Sequence, residues 1–212
     1  MARIIKEFKM IYDPEKYWHD RGADYVAPGE QAEEPEVKNF HELMYDHDLF
    51  LYKKILEVGS GYGRIYDETE PMIRMFSAEL GPFTKDGSKY TMCDFVESMR
   101  YKCLRNTGVL PDYWNGSELP YNNNEFDLVI SFSVLLHVLP EKIEQILREH
   151  VRVCNKYIFI ATYFGGLDRL APHCFEHDYK NLFEKLNLKI EDEKFFQAGL
   201  RVNWLLNKKD VI

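Results

Sequence analysis

The stretch Lys54-Ile55-Leu56-Glu57-Val58-Gly59-Ser60-Gly61-Tyr62-Gly63-Arg64 constrains this chain more than any other. A short apolar run carries an acid near its end, and three glycines follow at every second position. The run is too short for a helix and stops at glycines, so it reads as a buried parallel strand. Arg64 to Leu80 has helical spacing, which makes the unit a strand, a tight turn and a helix. Glycines let such a turn bend sharply and approach a ligand with no Cβ in the way. The turn aims backbone N–H groups and a helix N-terminus at whatever lies above the strand.

A dinucleotide site takes G-x-G-x-x-G, the last glycine allowing close packing of helix on strand. Here the spacing is G-x-G-x-G, and Arg64 stands where that pattern needs Gly or Ala. Glu57, two residues before the first glycine, is awkward beside a pyrophosphate and suits a ligand with an ammonium group. The stretch resembles the first motif of the class I S-adenosylmethionine-dependent methyltransferases.

From Lys53 onward the pattern alternates strand and helix, as in a parallel sheet covered on both faces. Strands read at 53–58, 89–94, 112–115, 126–131 and 156–162, and helices at 64–80, 96–106, 139–152 and 176–186. Gly81 to Ser88 reads as a loop lengthening the first crossover. Leu188 to Phe196 and Leu200 to Asn207 flank Gln197-Ala198-Gly199, which predicts a hairpin. The resemblance implies an α/β fold: a Rossmann-like, mostly parallel sheet with helices on both faces and a C-terminal antiparallel hairpin. It covers roughly residues 53 to 208, within a domain at 49–212.

Residues 1–48 read as an N-terminal arm and candidate lid, with Pro14, Pro28 and Pro35 interrupting any long helix. Asp13 and Pro14 predict the cap and first position of a short helix through Trp18. Gly29 to Glu36 reads as a solvated acidic loop, and Asn39 to Tyr52 as a helix.

With 212 residues, 45% hydrophobic and 15% aromatic, the chain is expected to fold around one sizeable core. A net charge of −8 argues against a broad nucleic-acid footprint. Cys93, Cys103, Cys154 and Cys174 show no C-x-x-C spacing, which fits reduced thiols in a cytoplasmic protein. No secretory leader and no membrane-length apolar run is read, so no membrane partner is expected.

The resemblance extends to Lys89–Asp94 and to Glu125–Phe132, and implies S-adenosylmethionine as cofactor. Asp94, at a strand end, corresponds to the acid that takes both ribose hydroxyls. A helix cap is the plain alternative for it. Phe95 and Met99 are expected to flank the adenine, and Asn115 with Gly116 to meet its amino group where the family commonly has an acid. Glu57, Gly59, Ser60, Gly61 and Gly63 form the turn around the methionine end, which Ser131 and Phe132 are expected to face. Tyr17 is assigned to the cofactor and Trp18 to the substrate, as parts of a closing arm, with stapling of the arm as the alternative. His137 is the candidate general base, or a packing residue. Tyr163, His173 and His177 are the candidate substrate contacts, in loops beyond strand ends where the Gly165-Gly166 pair permits motion. His173, His177 and Asp178 have a spacing that raises a metal, but the helix starts near Glu176 and no H-E-x-x-H accompanies them, so none is expected.

The function these features imply is methyl transfer to a small-molecule acceptor, achieved mainly by proximity and orientation. The alternatives are an inactive cofactor-binding subunit that supports a partner enzyme, and a nucleic-acid or protein methyltransferase. Ser131-Phe132-Ser133-Val134 lacks the Asn/Asp-Pro-Pro-aromatic signature of amino-group methylation of nucleic acids.

Overall fold

Alternation of buried residues builds a central sheet with a different helix set on each face. A computed structural model describes residues 12–22, 30–49, 54–78, 90–164 and 173–208, the side chains of 30–34 and 72–78 excepted. Its elements are α1 (Pro14–Arg21), α2 (Glu30–Asp46), β1 (Ile55–Val58), α3 (Arg64–Ala78), β2 (Tyr90–Asp94), α4 (Glu97–Thr107) and β3 (Asp112–Tyr113). They continue with β4 (Phe126–Phe132), α5 (Ile143–Val153), β5 (Cys154–Tyr163), α6 (Tyr179–Lys185), β6 (Leu188–Phe196) and β7 (Arg201–Lys208).

The strand order is β3-β2-β1-β4-β5-β7-β6. The first five strands run parallel, and β7 is antiparallel to both β5 and β6. Ile55 sits opposite both Tyr90 and Leu128, which brings the ends of β1, β2 and β4 to one edge. There the strand order reverses, and a crevice opens beyond the carboxyl ends.

Leu56 and Val58 face one core with Ile143, Ile146, Leu147 and Phe183 of α5 and α6. Ile55 faces the other, with Phe40, Leu43 and Met44 of α2 and Ile65 of α3. The expected hairpin forms around a short 3-10 turn at Gln197–Gly199, with Ala198 at φ 57°. Asp13 caps α1 by accepting from the Lys16 N–H at 3.1 Å, with Pro14 following.

The acidic segment departs from expectation. Residues 30–36 are the start of α2, not a solvated loop, and Pro35 lies inside the helix. Val37, Phe40, Leu43 and Met44 recur at helical spacing and are buried, which outweighs the backbone bond Pro35 forgoes. Glu36 is 1% exposed and forms an ion pair with Arg201 of β7, 2% exposed. Asn203 Nδ2 donates to the Glu36 carbonyl and to Asn39 Oδ1, both at 2.9 Å. β3 has two residues where four were read, and α5 and α6 start later than expected, at Ile143 and Tyr179. The Gly81–Ser88 loop, the Gly165-Gly166 pair and the expected element ends at 50–53, 79–80 and 89 lie outside the described residues. Among the described residues, no helix is long and apolar enough to cross a membrane.

Candidate functional site

A cleft of about 500 Å³ lies over the carboxyl ends of β1, β2 and β4. Its floor is the glycine turn, with Gly59, Gly61 and Gly63 all at positive φ. The N–H groups of Gly59 and Ser60 donate to the Cys93 carbonyl at 2.8 and 3.1 Å, tying the turn to β2. A Cβ on Gly59 would lie 2.5 Å from Val134 Cγ2, whereas one on Gly61 would meet nothing within 4 Å. Gly63 does not line the cleft. A Cβ there would strike Thr107 Cγ2 at 2.6 Å and Cys103 Sγ at 2.7 Å, so this glycine lets the turn pack on α4.

Two acids end up in the cleft wall. Glu57 is 2% exposed and accepts from the Tyr90 hydroxyl at 2.9 Å. Burial pushes its carboxyl up to about 8, against the opposing pull of Tyr90 and Arg64. Asp94 Oδ2 accepts from the Gly61 N–H, and Oδ1 from the Val96 N–H, both at 2.8 Å. Burial raises this carboxyl too, with those two bonds pulling it back.

Phe95, Val96 and Met99 form one side wall; Tyr113, Trp114, Asn115, Gly116 and Ser117 approach from β3 and the loop after it. Asn115 is at the cleft, but its carbonyl oxygen already accepts from Ser117 N, Ser117 Oγ and Glu118 N, at 2.9, 3.0 and 2.8 Å. The acceptor role expected of it is therefore corrected: the oxygen serves a local turn, as short Asn side chains commonly do.

Phe132, Ser133 and Val134 follow β4 into the cleft, with Arg64 stacked over the Phe132 ring at 5.5 Å. Ser131 is fully buried and is not among the lining residues. Ser133 sits at φ 57° and accepts from Arg201 Nη2 at 2.9 Å. The 3-10 turn Leu135–His137 then carries His137 into the lining. His137 Nδ1 lies 3.1 Å from the His173 carbonyl, and burial lowers the imidazole to about 4.

The arm reaches the same place. Asp13, Pro14, Glu15 and Trp18 of α1 line the cleft, and Trp18 meets His137 edge-on at 4.9 Å. Tyr17 stands behind Trp18 at 5.1 Å, and its hydroxyl lies 3.3 Å from His173 Nε2. His173 stacks on His137 at 5.1 Å without lining the cleft itself. His177 points into the core instead: it is 7% exposed, and its Nε2 lies 3.1 Å from the Leu135 carbonyl, beneath the turn that carries His137. Tyr163 also lies off the cleft, under the Arg201 guanidinium at 4.6 Å. Asp178 caps α6. Asp13, Glu15, Lys142 and Val138 line the site without having been anticipated, and apart from the capping role of Asp13 their local sequence carries no signal for it.

The methyltransferase domain model matches residues 56–159. A search of curated protein sequences finds no match. Among solved structures, the chain is similar to magnesium protoporphyrin IX methyltransferase of Synechocystis PCC 6803 with bound S-adenosylmethionine, at TM-score 0.64 and 10% identity over 94% of this chain and 99% of that one. It is also similar to a methyltransferase of Haloferax volcanii in complex with the Trm112 activator, at 0.62 and 11% over 94% and 100%. A third is an S-adenosylmethionine-dependent methyltransferase of Aquifex aeolicus, at 0.58 and 15% over 93% and 100%. Residues 56–159 match a methyltransferase domain, and the chain has the fold of the class I S-adenosylmethionine-dependent methyltransferases. The Synechocystis enzyme has been seen with S-adenosylmethionine and with its demethylated product bound.

The residues of this cleft fit S-adenosylmethionine. The space above Gly61 is open, the cleft volume suits a nucleoside-sized ligand, and two buried carboxylates stand at the ends of β1 and β2.

Proposed function

We propose that the protein transfers the sulfonium methyl group of S-adenosylmethionine to a nucleophilic atom of a small molecule. The observation that supports this is that the arm reaches the cleft: Trp18, 8% exposed, lines it and lies against His137. A largely apolar cleft with an aromatic arm at its mouth can hold two reactants in line, and orientation alone contributes about 7–11 kcal/mol. When bound, the cofactor supplies a methyl group that is already reactive, so the chain's task is mainly to hold and align.

In this reading Glu57 holds the ammonium group, Asp94 the ribose hydroxyls, and Phe95 and Met99 the adenine faces. The Gly59–Gly61 backbone and Phe132 surround the methionine end. Trp18, with Tyr17 and His173 behind it, shapes the acceptor end. His137 is the candidate base, since a neutral imidazole can take a proton from the acceptor. The net charge of −8 supports a small acceptor over a nucleic acid.

Calorimetry with the demethylated cofactor, then a transfer assay over a panel of small thiols, amines and hydroxyl compounds, tests the proposal. Dinucleotide binding without binding of the sulfonium ligand would reject it. The Haloferax neighbour bound to an activator favours a second reading, a subunit that works with a protein partner. Tight cofactor binding with no turnover until a partner is added would select that reading.

A further inference from the structure

Beyond methyl transfer, the geometry points to a transition-metal site of the zinc class, formed by His137, His173 and Cys174 at the acceptor end of the cleft. One ligand-capable atom from each residue lies within 4.8 Å of the other two. Cys174 Sγ is 3.8 Å from His137 Nδ1, and the two imidazoles stack at 5.1 Å with 24° between planes. Zinc–nitrogen and zinc–sulfur bonds of roughly 2.0–2.3 Å put tetrahedral ligand atoms about 3.3–3.8 Å apart, so a contraction of about 1 Å completes the site.

One further contact fits. Metal-bound imidazoles keep a hydrogen bond on their second nitrogen, which fixes tautomer and ring orientation. His173 Nε2 has the Tyr17 hydroxyl at 3.3 Å, which leaves Nδ1 for the metal. His137 Nδ1, the atom nearest Cys174 Sγ, would instead exchange its 3.1 Å contact with the His173 carbonyl for the metal. Two nitrogens and a thiolate leave a fourth position for water or substrate, the pattern of reactive rather than structural zinc. His137 lines the cleft, so that position lies beside it. Spacing along the chain suggested His173 with His177 and Asp178, but His177 is held by the Leu135 carbonyl and Asp178 caps α6. The fold substitutes His137 and Cys174, 37 residues apart.

Cobalt(II) titration of the full-length protein, stripped with chelator and free of cofactor, tests the site independently of methyl transfer. One equivalent should bind and give a thiolate-to-cobalt charge-transfer band. Cys174→Ser should abolish the band. His173→Ala should weaken binding about 100-fold or more, since outer partners alone contribute 10–100-fold. Cys154→Ser, a buried thiol on β5, should leave the band intact. Circular dichroism and affinity for the demethylated cofactor check that each variant is folded. If Cys174→Ser does not fold, the loss of affinity in His173→Ala decides. No saturable band at one equivalent, or a band that survives Cys174→Ser, means the three residues merely pack together and overturns the assignment.

Discussion

Asp94 accepts a hydrogen bond from the backbone N–H of Gly61 at 2.8 Å, so the acid that ends β2 also shapes the turn that follows β1. Its other oxygen accepts from Val96 at the start of α4. The helix-cap alternative does not form, because Val96 is the cap residue of α4 and has no side-chain capping bond; Asp94 ties the glycine turn to the β2–α4 junction instead. Each oxygen accepts one backbone bond and keeps a second lone pair for a hydroxyl.

Asp94→Ala should therefore fail in two measurements at once. Loss of two charge-assisted bonds, reduced by solvent replacement, should cost about 2–4 kcal/mol of cofactor affinity, or roughly 30- to 1000-fold by calorimetry. The ligand-free protein should also melt earlier, by the equivalent of about 1–3 kcal/mol, because two buried N–H groups lose their acceptor. Full affinity in this variant would remove Asp94 from the ribose role.

Glu57 should make both stability and cofactor binding depend on pH. Its folded-state value of about 8 lies above its ordinary 4.5, so the folded chain holds a proton that the unfolded chain has released between them. Stability from this group is thus greatest below 4.5 and falls as pH rises through about 8, by up to about 1.4 kcal/mol per pH unit. An ammonium group beside Glu57 favours the carboxylate, so binding at neutral pH should release a proton and tighten as pH approaches 8. Calorimetry in buffers of different ionisation enthalpy reads that proton directly. Glu57→Gln should abolish the release; an unchanged release would place the proton elsewhere.

Gly22 lets the arm sit close to α4: a Cβ there would lie 2.6 Å from Ser98 Oγ and 2.7 Å from Val96 Cγ1. Gly22→Ala should lift α1 and with it Trp18. Cofactor affinity should then drop several-fold while the melting temperature changes little. Removing residues 1–22 should have the same signature, whereas a deletion through Asp46 should not fold, because α2 fills the core under β7. An unfolded short deletion would make the arm a staple rather than a lid.

The Glu36–Arg201 pair should resist one-sided replacement. Arg201→Met removes the guanidinium that faces the buried Glu36 carboxylate, which should cost about 3–5 kcal/mol in chemical denaturation. The double variant Glu36→Leu with Arg201→Met should recover much of that, since apolar residues of similar size avoid desolvating two charges. A double variant no better than the single would mean the pair contributes more than its own neutralisation.

Much of the fold was legible because its signals are local. The glycine spacing after β1, the alternation of strands and helices, and the turn at Gln197–Gly199 each depend on residues a few positions apart. What was missed depends on residues far apart. Gly29 to Glu36 reads as solvated because its acids and Pro35 say so locally, while the partner that buries Glu36 lies on the last strand. His173 and His177 share a spacing but not a face, and nothing in that spacing brings His137 to Cys174.

The position of β7 sets an order of assembly. It lies between β5 and β6, and Asn203 reaches back across 167 residues to the Glu36 carbonyl. α2 precedes every strand of the sheet along the chain, yet part of its docking surface belongs to the strand that follows all the others. Phe40, Leu43 and Met44 of α2 can already pack on Ile55, Ile130 and Phe159 of β1, β4 and β5, but Glu36 lacks its ion-pair partner until Arg201 is in place. An intermediate without β7 would therefore hold a half-covered α2 with an acid at its edge, a state open to capture by chaperones or by other chains.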